Sequence, residues 1–230
     1  MQNEVSRDLL STIGIENVTV VGDTRFDRVL QIKEASKQLP IVEQFKGNKK
    51  CFIAGSSWQP DEEIFIPWLN EHKDWKVVIA PHVIGEDHLQ QIEKLLTGRK
   101  VVRYTEATEA NVKDAEVLII NCFGLLSSIY HYADVTYVGG GFGVGIHNTL
   151  EAAVWDVPVF FGPNNQRFQE AQGLKACGGG LEIGSADDFR RYMQGFEEHP
   201  EVIKELGEKA GAYVASLSGA TEKVLSSVQL

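Results

Sequence analysis

The chain has 230 residues, 43% of them hydrophobic, enough for one large core or two small ones. With 22 Lys and Arg against 32 Asp and Glu, its net charge of −10 repels nucleic acid, and no run of basic residues marks a membrane-binding patch. No apolar stretch approaches the roughly 20 residues that cross a bilayer, and the N-terminus MQNEVSRDLL lacks the apolar segment of a signal peptide.

Cysteines stand at Cys51, Cys122 and Cys177, far apart and with no CxxC pair. That usage fits a reduced, cytosolic protein, and each reads as a small buried hydrophobe rather than a reactive thiol. Residues 1–17 read as the tail of a helix plus a loop, left from a preceding domain or linker. Residues 18–230 read as one domain. Short β-branched runs predict buried strands at 18–21, 51–54, 77–80, 101–104, 117–120, 135–138 and 159–161. Helical stretches lie between most of them, at 27–39, 61–71, 88–96, 125–132, 148–155 and 168–176. Pro67 must kink or restart the second of these. Two further helices, 186–196 and 201–228, close the chain, the last long enough to lean on something outside the domain. Strand–helix alternation of this kind predicts an α/β fold, a Rossmann-like parallel sheet with helices on both faces.

In such a sheet ligands bind beyond the C-terminal ends of the strands, so the loops there carry the chemistry. Gly55, Ser56 and Ser57 follow one strand; they suit a backbone approaching an anion, and equally a Ser cap on the next helix. Pro81 and His82 follow another, where the histidine could donate to a phosphate or carboxylate. The segment Asn121-Cys122-Phe123-Gly124-Leu125-Leu126 could stack on a base or staple a helix entry. The glycine-rich stretch 139–145 leads through Ile146 and His147 to Asn148, Thr149, Leu150 and Glu151. Its small residues allow close packing on a phosphate. The spacing is not GxGxxG, which argues against a dinucleotide site. Asn148 and Glu151 can be a capping box, or Glu151 can accept hydrogen bonds from two ribose hydroxyls.

GGGFGVGIHNTLEAA, followed by VPVFFGPNNQRFQEA, resembles the signature of the Kdo transferases, which move 3-deoxy-D-manno-octulosonic acid (Kdo) from CMP-Kdo to lipid A precursors. Upstream, VVGDTRFD is similar to that family's TGNLKFD, Gly55-Ser56-Ser57 to its GST, and Phe123-Gly124-Leu125-Leu126 to its MGEL. The order holds over nearly the whole chain. The resemblance implies the C-terminal, donor-binding domain of a GT-B glycosyltransferase. The acceptor site, the membrane-facing surface and the general base would lie in an N-terminal domain outside this sequence, so no catalytic residue is expected here.

By the same resemblance, donor contacts would come from Gly55, Ser56, Ser57, Pro81, His82, the 123–126 turn, Gly140, Gly141, His147 to Glu151, and Arg167. The reaction would invert the anomeric centre by direct displacement, with no metal or cofactor. The parent protein would work at the cytoplasmic face of the inner membrane, this domain inserting nowhere. The family's Pro-Arg-His is Pro81-His82-Val83 here, its MGEL glutamate is Leu125, and the Asn before its Phe is Arg167. The missing arginine's charge falls to His82 or Arg167. The alternatives are a GT-B transferase or epimerase using a UDP-sugar, and a non-catalytic nucleotide-binding module.

Overall fold

The computed structural model describes residues 1–227. Helices α1 (Glu4–Ser11), α2 (Thr24–Glu34) and α3 (Pro40–Lys46) precede the first strand, β1 (Cys51–Ser57). Then come α4 (Gln59–Glu71), β2 (Lys76–Pro81), α5 (Glu86–Leu95), β3 (Val101–Arg103), α6 (Glu109–Val112) and β4 (Val117–Ile119). The second half holds α7 (Leu126–Ile129), β5 (Val135–Val138), α8 (Leu150–Ala153), β6 (Val159–Phe161), α9 (Gln169–Cys177) and β7 (Gly180–Glu182). Helices α10 (Ala186–Glu198), α11 (Pro200–Ser216) and α12 (Ala220–Ser227) complete the described residues.

All seven strands run parallel in the order β3-β4-β2-β1-β5-β6-β7. Period-two alternation splits β1 between two cores: Cys51 and Ile53 pack under α2, α3 and α9, whereas Phe52 and Ala54 face α4, α5 and α10. Both faces are covered, as an all-parallel sheet requires. The chain builds outward from β1 on one side, then crosses to β5 on the other. The resulting switch point opens a crevice beyond the C-terminal ends of β1 and β5.

Residues 18–21 form no strand. They have no regular secondary structure; Val21 N–H donates to Met1 O at 2.9 Å, but no strand lies beside them to complete a ladder. β-branching favours extended backbone; a sheet position needs a partner as well. The short β7 and helix α3 go unpredicted, and the expected 27–39 helix is α2, which starts at Thr24 and ends at Glu34. Helix α4 runs through Pro67 without a restart, anchored on either side by buried Ile66, Trp68 and Leu69. The final helix divides at Gly219, whose φ of 99° only glycine adopts easily. There Asp27 accepts from Gly219 N–H at 2.5 Å and Thr221 N–H at 2.7 Å. That cap lays α12 on α2 of this same domain; Val228, the end of the expected helix, lies outside the described residues. Of the cysteines only Cys51 is fully buried, its thiol pushed up to about 12 by burial, whereas Cys122 and Cys177 are half-buried.

Candidate functional site

The strand β1 ends in a bulge: its register with β2 shifts between Gly55 and Ser57, and Ser56 takes a left-handed φ of 52°. A non-glycine residue held there is strained, and such strain collects at binding sites. The bulge aims Ser56 into a cavity of about 220 Å³, which Pro81, His82, Phe123, Gly124 and Leu126 also line. The loops after β1, β2 and β4 therefore converge as expected. Gly55 lies beneath, and a Cβ there would overlap the Tyr130 hydroxyl. Leu125 is half-buried against the core at the start of α7. Ser57 is fully buried, its hydroxyl donating to Glu62 at 2.8 Å, and its carbonyl accepts His82 N–H at 2.9 Å.

The glycine loop after β5 closes on itself, with Gly143 and Gly145 N–H both donating to Gly140 O, at 3.0 and 3.2 Å. Its glycines answer chiefly to protein backbone. A Cβ on Gly139 would overlap Ser56 O, and one on Gly141 would lie 2.6 Å from Gly162 Cα. Only at the tip is there room, where Val144 is 91% exposed. The exposed Arg167 donates to Val144 O at 3.1 Å and so braces that tip.

Asp61, in the first turn of α4, joins this loop to β1. It is 1% exposed and accepts from Gly140 N–H (2.9 Å), Trp58 N–H (2.9 Å) and the Tyr137 hydroxyl (2.7 Å). Trp58 stacks on His82 with centroids 4.5 Å apart, and His82 stacks on His147 at the same distance. Trp58 Nε1–H donates to His147 Nε2 at 3.1 Å. Indole nitrogen only donates, so His147 must be neutral with its proton on Nδ1. Burial, then the neighbouring His82, lowers its pKa in agreement, Asp61 opposing. Trp58, Asp61, Gly140, Gly143 and Val144 also line a second recess of about 200 Å³ beside the first. Neither recess has a Lys or Arg in its lining.

Asn148 accepts from Leu150 N–H at 3.2 Å and donates to Glu151 Oε1 at 3.1 Å, which keeps the carboxylate at the start of α8. Burial raises the pKa of the Tyr130 phenol, whose hydroxyl packs against Gly55, and the charge of Glu151 adds to the shift. Thr149 and Leu150 are fully buried, and the Thr149 hydroxyl finds no hydrogen-bond partner among the described residues. The N–H groups of Asn148 and Thr149 make no hydrogen bond among the described residues.

Trp58, Asp61 and Tyr137 escaped sequence reasoning. The signal available was an acidic residue three positions after Trp58, where a helix start accepts backbone N–H groups.

No family model matches the chain. It is 25% identical over 219 residues to a bifunctional glycosyltransferase/methyltransferase of Fusobacterium nucleatum, covering 90% of this chain and 33% of that protein. A 3-deoxy-D-manno-octulosonic acid transferase of Rickettsia bellii is 24% identical over 204 residues, covering 84% of this chain and 47% of that protein. The crystal structure of the C-terminal CMP-Kdo binding domain of WaaA from Acinetobacter baumannii matches with a TM-score of 0.63 at 18% identity. That match covers 82% of this chain and 97% of the solved domain. The chain is a relative of the Kdo transferases. It spans a third to a half of the length of the curated Kdo-transferase and bifunctional relatives. Its fold is that of the C-terminal domain of a GT-B enzyme. No helix among the described residues is long and apolar enough to cross a membrane.

Proposed function

We propose that the chain is the donor-binding half of an inverting glycosyltransferase that moves Kdo from CMP-Kdo to a lipid A precursor. The observation that carries this reading is the convergence of four sequence-distant loops on the β1–β5 switch point, in a fold shared with a CMP-Kdo binding domain. The cytosine would enter the cavity between Ser56, Pro81 and the 123–126 turn. Glu151 would accept the ribose hydroxyls, and the free N–H of half-buried Asn148 would meet the phosphate. In the reaction an acceptor hydroxyl oxygen bonds to the anomeric carbon of Kdo while that carbon's bond to the phosphate oxygen breaks. CMP leaves with the electron pair, and the hydroxyl proton passes to a base in an N-terminal domain. The catalytic base and the lipid acceptor belong to that domain, which would bring the enzyme to the cytoplasmic face of the inner membrane. Residues 1–17 would be the end of the connection to it, and residues 18–230 the donor domain.

Ligand-detected NMR with CMP, UMP and NAD tests this directly. CMP should bind in preference, with an affinity nearer millimolar than micromolar, a difference of about 4 kcal/mol, because half a cleft leaves the sugar unsupported. UMP binding as well as CMP would move the reading to a UDP-sugar enzyme, and equal binding of all three would remove it. With CMP-Kdo generated in situ and a lipid A precursor, the chain alone should show no transfer above the uncatalysed rate.

A further inference from the structure

At the opposite end of the sheet from this crevice, the end of α3, the start of β2 and the residues just before β4 border an open cavity of about 400 Å³. Lys46, Lys49, Lys73, Lys76 and Lys113 line it, with Asp114 and Glu116 the only carboxylates in the lining. In sequence these lysines are scattered over nearly seventy positions of a chain with net charge −10, so only folding gathers them. Lys46 is neutralised by Asp134 at 2.9 Å, and Glu116 is engaged by Lys100 N–H at 2.8 Å. Lys76 differs from the rest. It is 8% exposed, and its ammonium donates to Lys113 O at 3.1 Å and to Ala115 O, with the Phe45 ring 4.8 Å away. Among the described residues no carboxylate lies within salt-bridge reach of Lys49, Lys73, Lys76 or Lys113. Burial, then the charge of Lys49, lowers the pKa of Lys76. Holding a buried cation beside like charges is costly, Glu116 and Asp114 offset only part of that cost, and an anion in the cavity would relieve the rest.

We propose that this lysine-lined cavity is a binding site for a phosphate-class oxyanion, separate from the nucleotide site. The donor set points to phosphate over carboxylate. Lysines from three segments present their ammonium groups as point charges, and the lining contains no arginine to offer the planar fork that grips a carboxylate. The cavity is large enough for a diphosphate or a phosphomonoester, and a phospholipid headgroup would present the same chemistry at its mouth.

The test is titration of the whole chain with pyrophosphate, read by amide chemical shifts and calorimetry. Shifts should move at Lys49, Lys76 and Lys113 and stay still in the glycine loop 139–145. Lys49→Gln and Lys113→Gln, both at exposed positions where folding is not at risk, should each weaken binding about tenfold. Lys223→Gln, on α12, should change nothing. In a second arm the chain is sedimented with phosphatidylglycerol vesicles, phosphatidylcholine vesicles serving as control. Sedimentation that needs Lys49 and Lys113, without pyrophosphate binding, would assign the site to lipid headgroup phosphate. Displacement of pyrophosphate by CMP, or no lysine-dependent binding in either arm, would overturn the proposal.

Discussion

Asp61 is the residue whose removal separates a built site from a chance meeting of loops. In Asp61→Ala three groups lose their acceptor: the buried Gly140 N–H and Tyr137 hydroxyl and the half-buried Trp58 N–H. Each orphaned polar group costs about 1–3 kcal/mol, so the change should cost roughly 3–9 kcal/mol. That is a large share of the 5–15 kcal/mol by which a typical domain is stable. At about 2–4 °C per kcal/mol for a chain of this size, the melting temperature should fall by at least about 6 °C. Asp61→Asn behaves differently. Its carbonyl oxygen can accept both N–H groups while its amide donates to the Tyr137 oxygen, because a hydroxyl can turn from donor to acceptor. Only the extra strength of bonds to a charged acceptor is lost, about 1 kcal/mol. Adding Tyr137→Phe to Asp61→Asn would strand that amide and should cost more than the two single changes together. Calorimetric melting of the four proteins decides the matter. If Asp61→Ala melts with Asp61→Asn, the carboxylate is not what ties the glycine loop to α4.

Glu151→Gln should weaken CMP binding by about ten- to a hundredfold, the loss of hydrogen bonds to a charged acceptor, while hardly changing the melting temperature. An early-melting variant that binds CMP like the parent would make Glu151 a cap and nothing more. Gly139→Ala should destabilise severely, because its Cβ would lie 2.6 Å from Ser57 Cα as well as overlapping Ser56 O, whereas at Gly143→Ala the nearest atom is 3.6 Å away. Equal melting temperatures for these two variants would refute the backbone-packing account of the loop. Burial pushes the Glu62 carboxyl above its ordinary 4.5, with His88 and Ser57 opposing. The folded state thus keeps a proton that the unfolded chain has already lost, and this contribution to stability fades as pH rises through the raised value. Glu62→Gln has no such proton, so from about pH 4.5 upward its denaturation midpoint should gain steadily on the parent's; a constant offset would refute the assignment.

The alternation of strand and helix was legible because the inner strands β1, β2, β4, β5 and β6 are buried on both faces and so read as apolar runs. Where that signal is absent the reading failed. Strand β7 is three residues that follow two glycines, and it is defined by pairing with β6 and by Gly180 fitting against Leu174. Residues 18–21 carry the composition of a strand and lack only the neighbour, which no local pattern records. The glycine loop announced itself by composition, but what its glycines fit against did not. Gly141 meets Gly162 and Gly139 meets Ser56, contacts set by the sheet order. The link from Asp61 to Gly140 spans 79 positions, and the lysine cavity gathers three segments. Neither has a spacing to be read.

The same contacts bear on how an anionic donor would be held. Because Gly139, Gly140 and Gly141 are fixed by backbone neighbours and by Asp61, the base of the loop has its shape before any ligand arrives, and little ordering entropy remains to be lost there. His147 is neutral while Trp58 donates to it, and Arg167 is committed to the loop tip at Val144. A phosphate in this crevice would therefore meet backbone N–H dipoles and the His82 ring rather than a fixed cation. Dipoles of that kind act only at contact distance, whereas the net charge of −10 acts over about a Debye length, 8–10 Å at ordinary ionic strength. Added salt should thus screen the repulsion more than the attraction. Moderate ionic strength would then tighten nucleotide binding at the crevice while loosening an oxyanion at the lysine cavity. The two ends of one sheet would respond to salt in opposite directions.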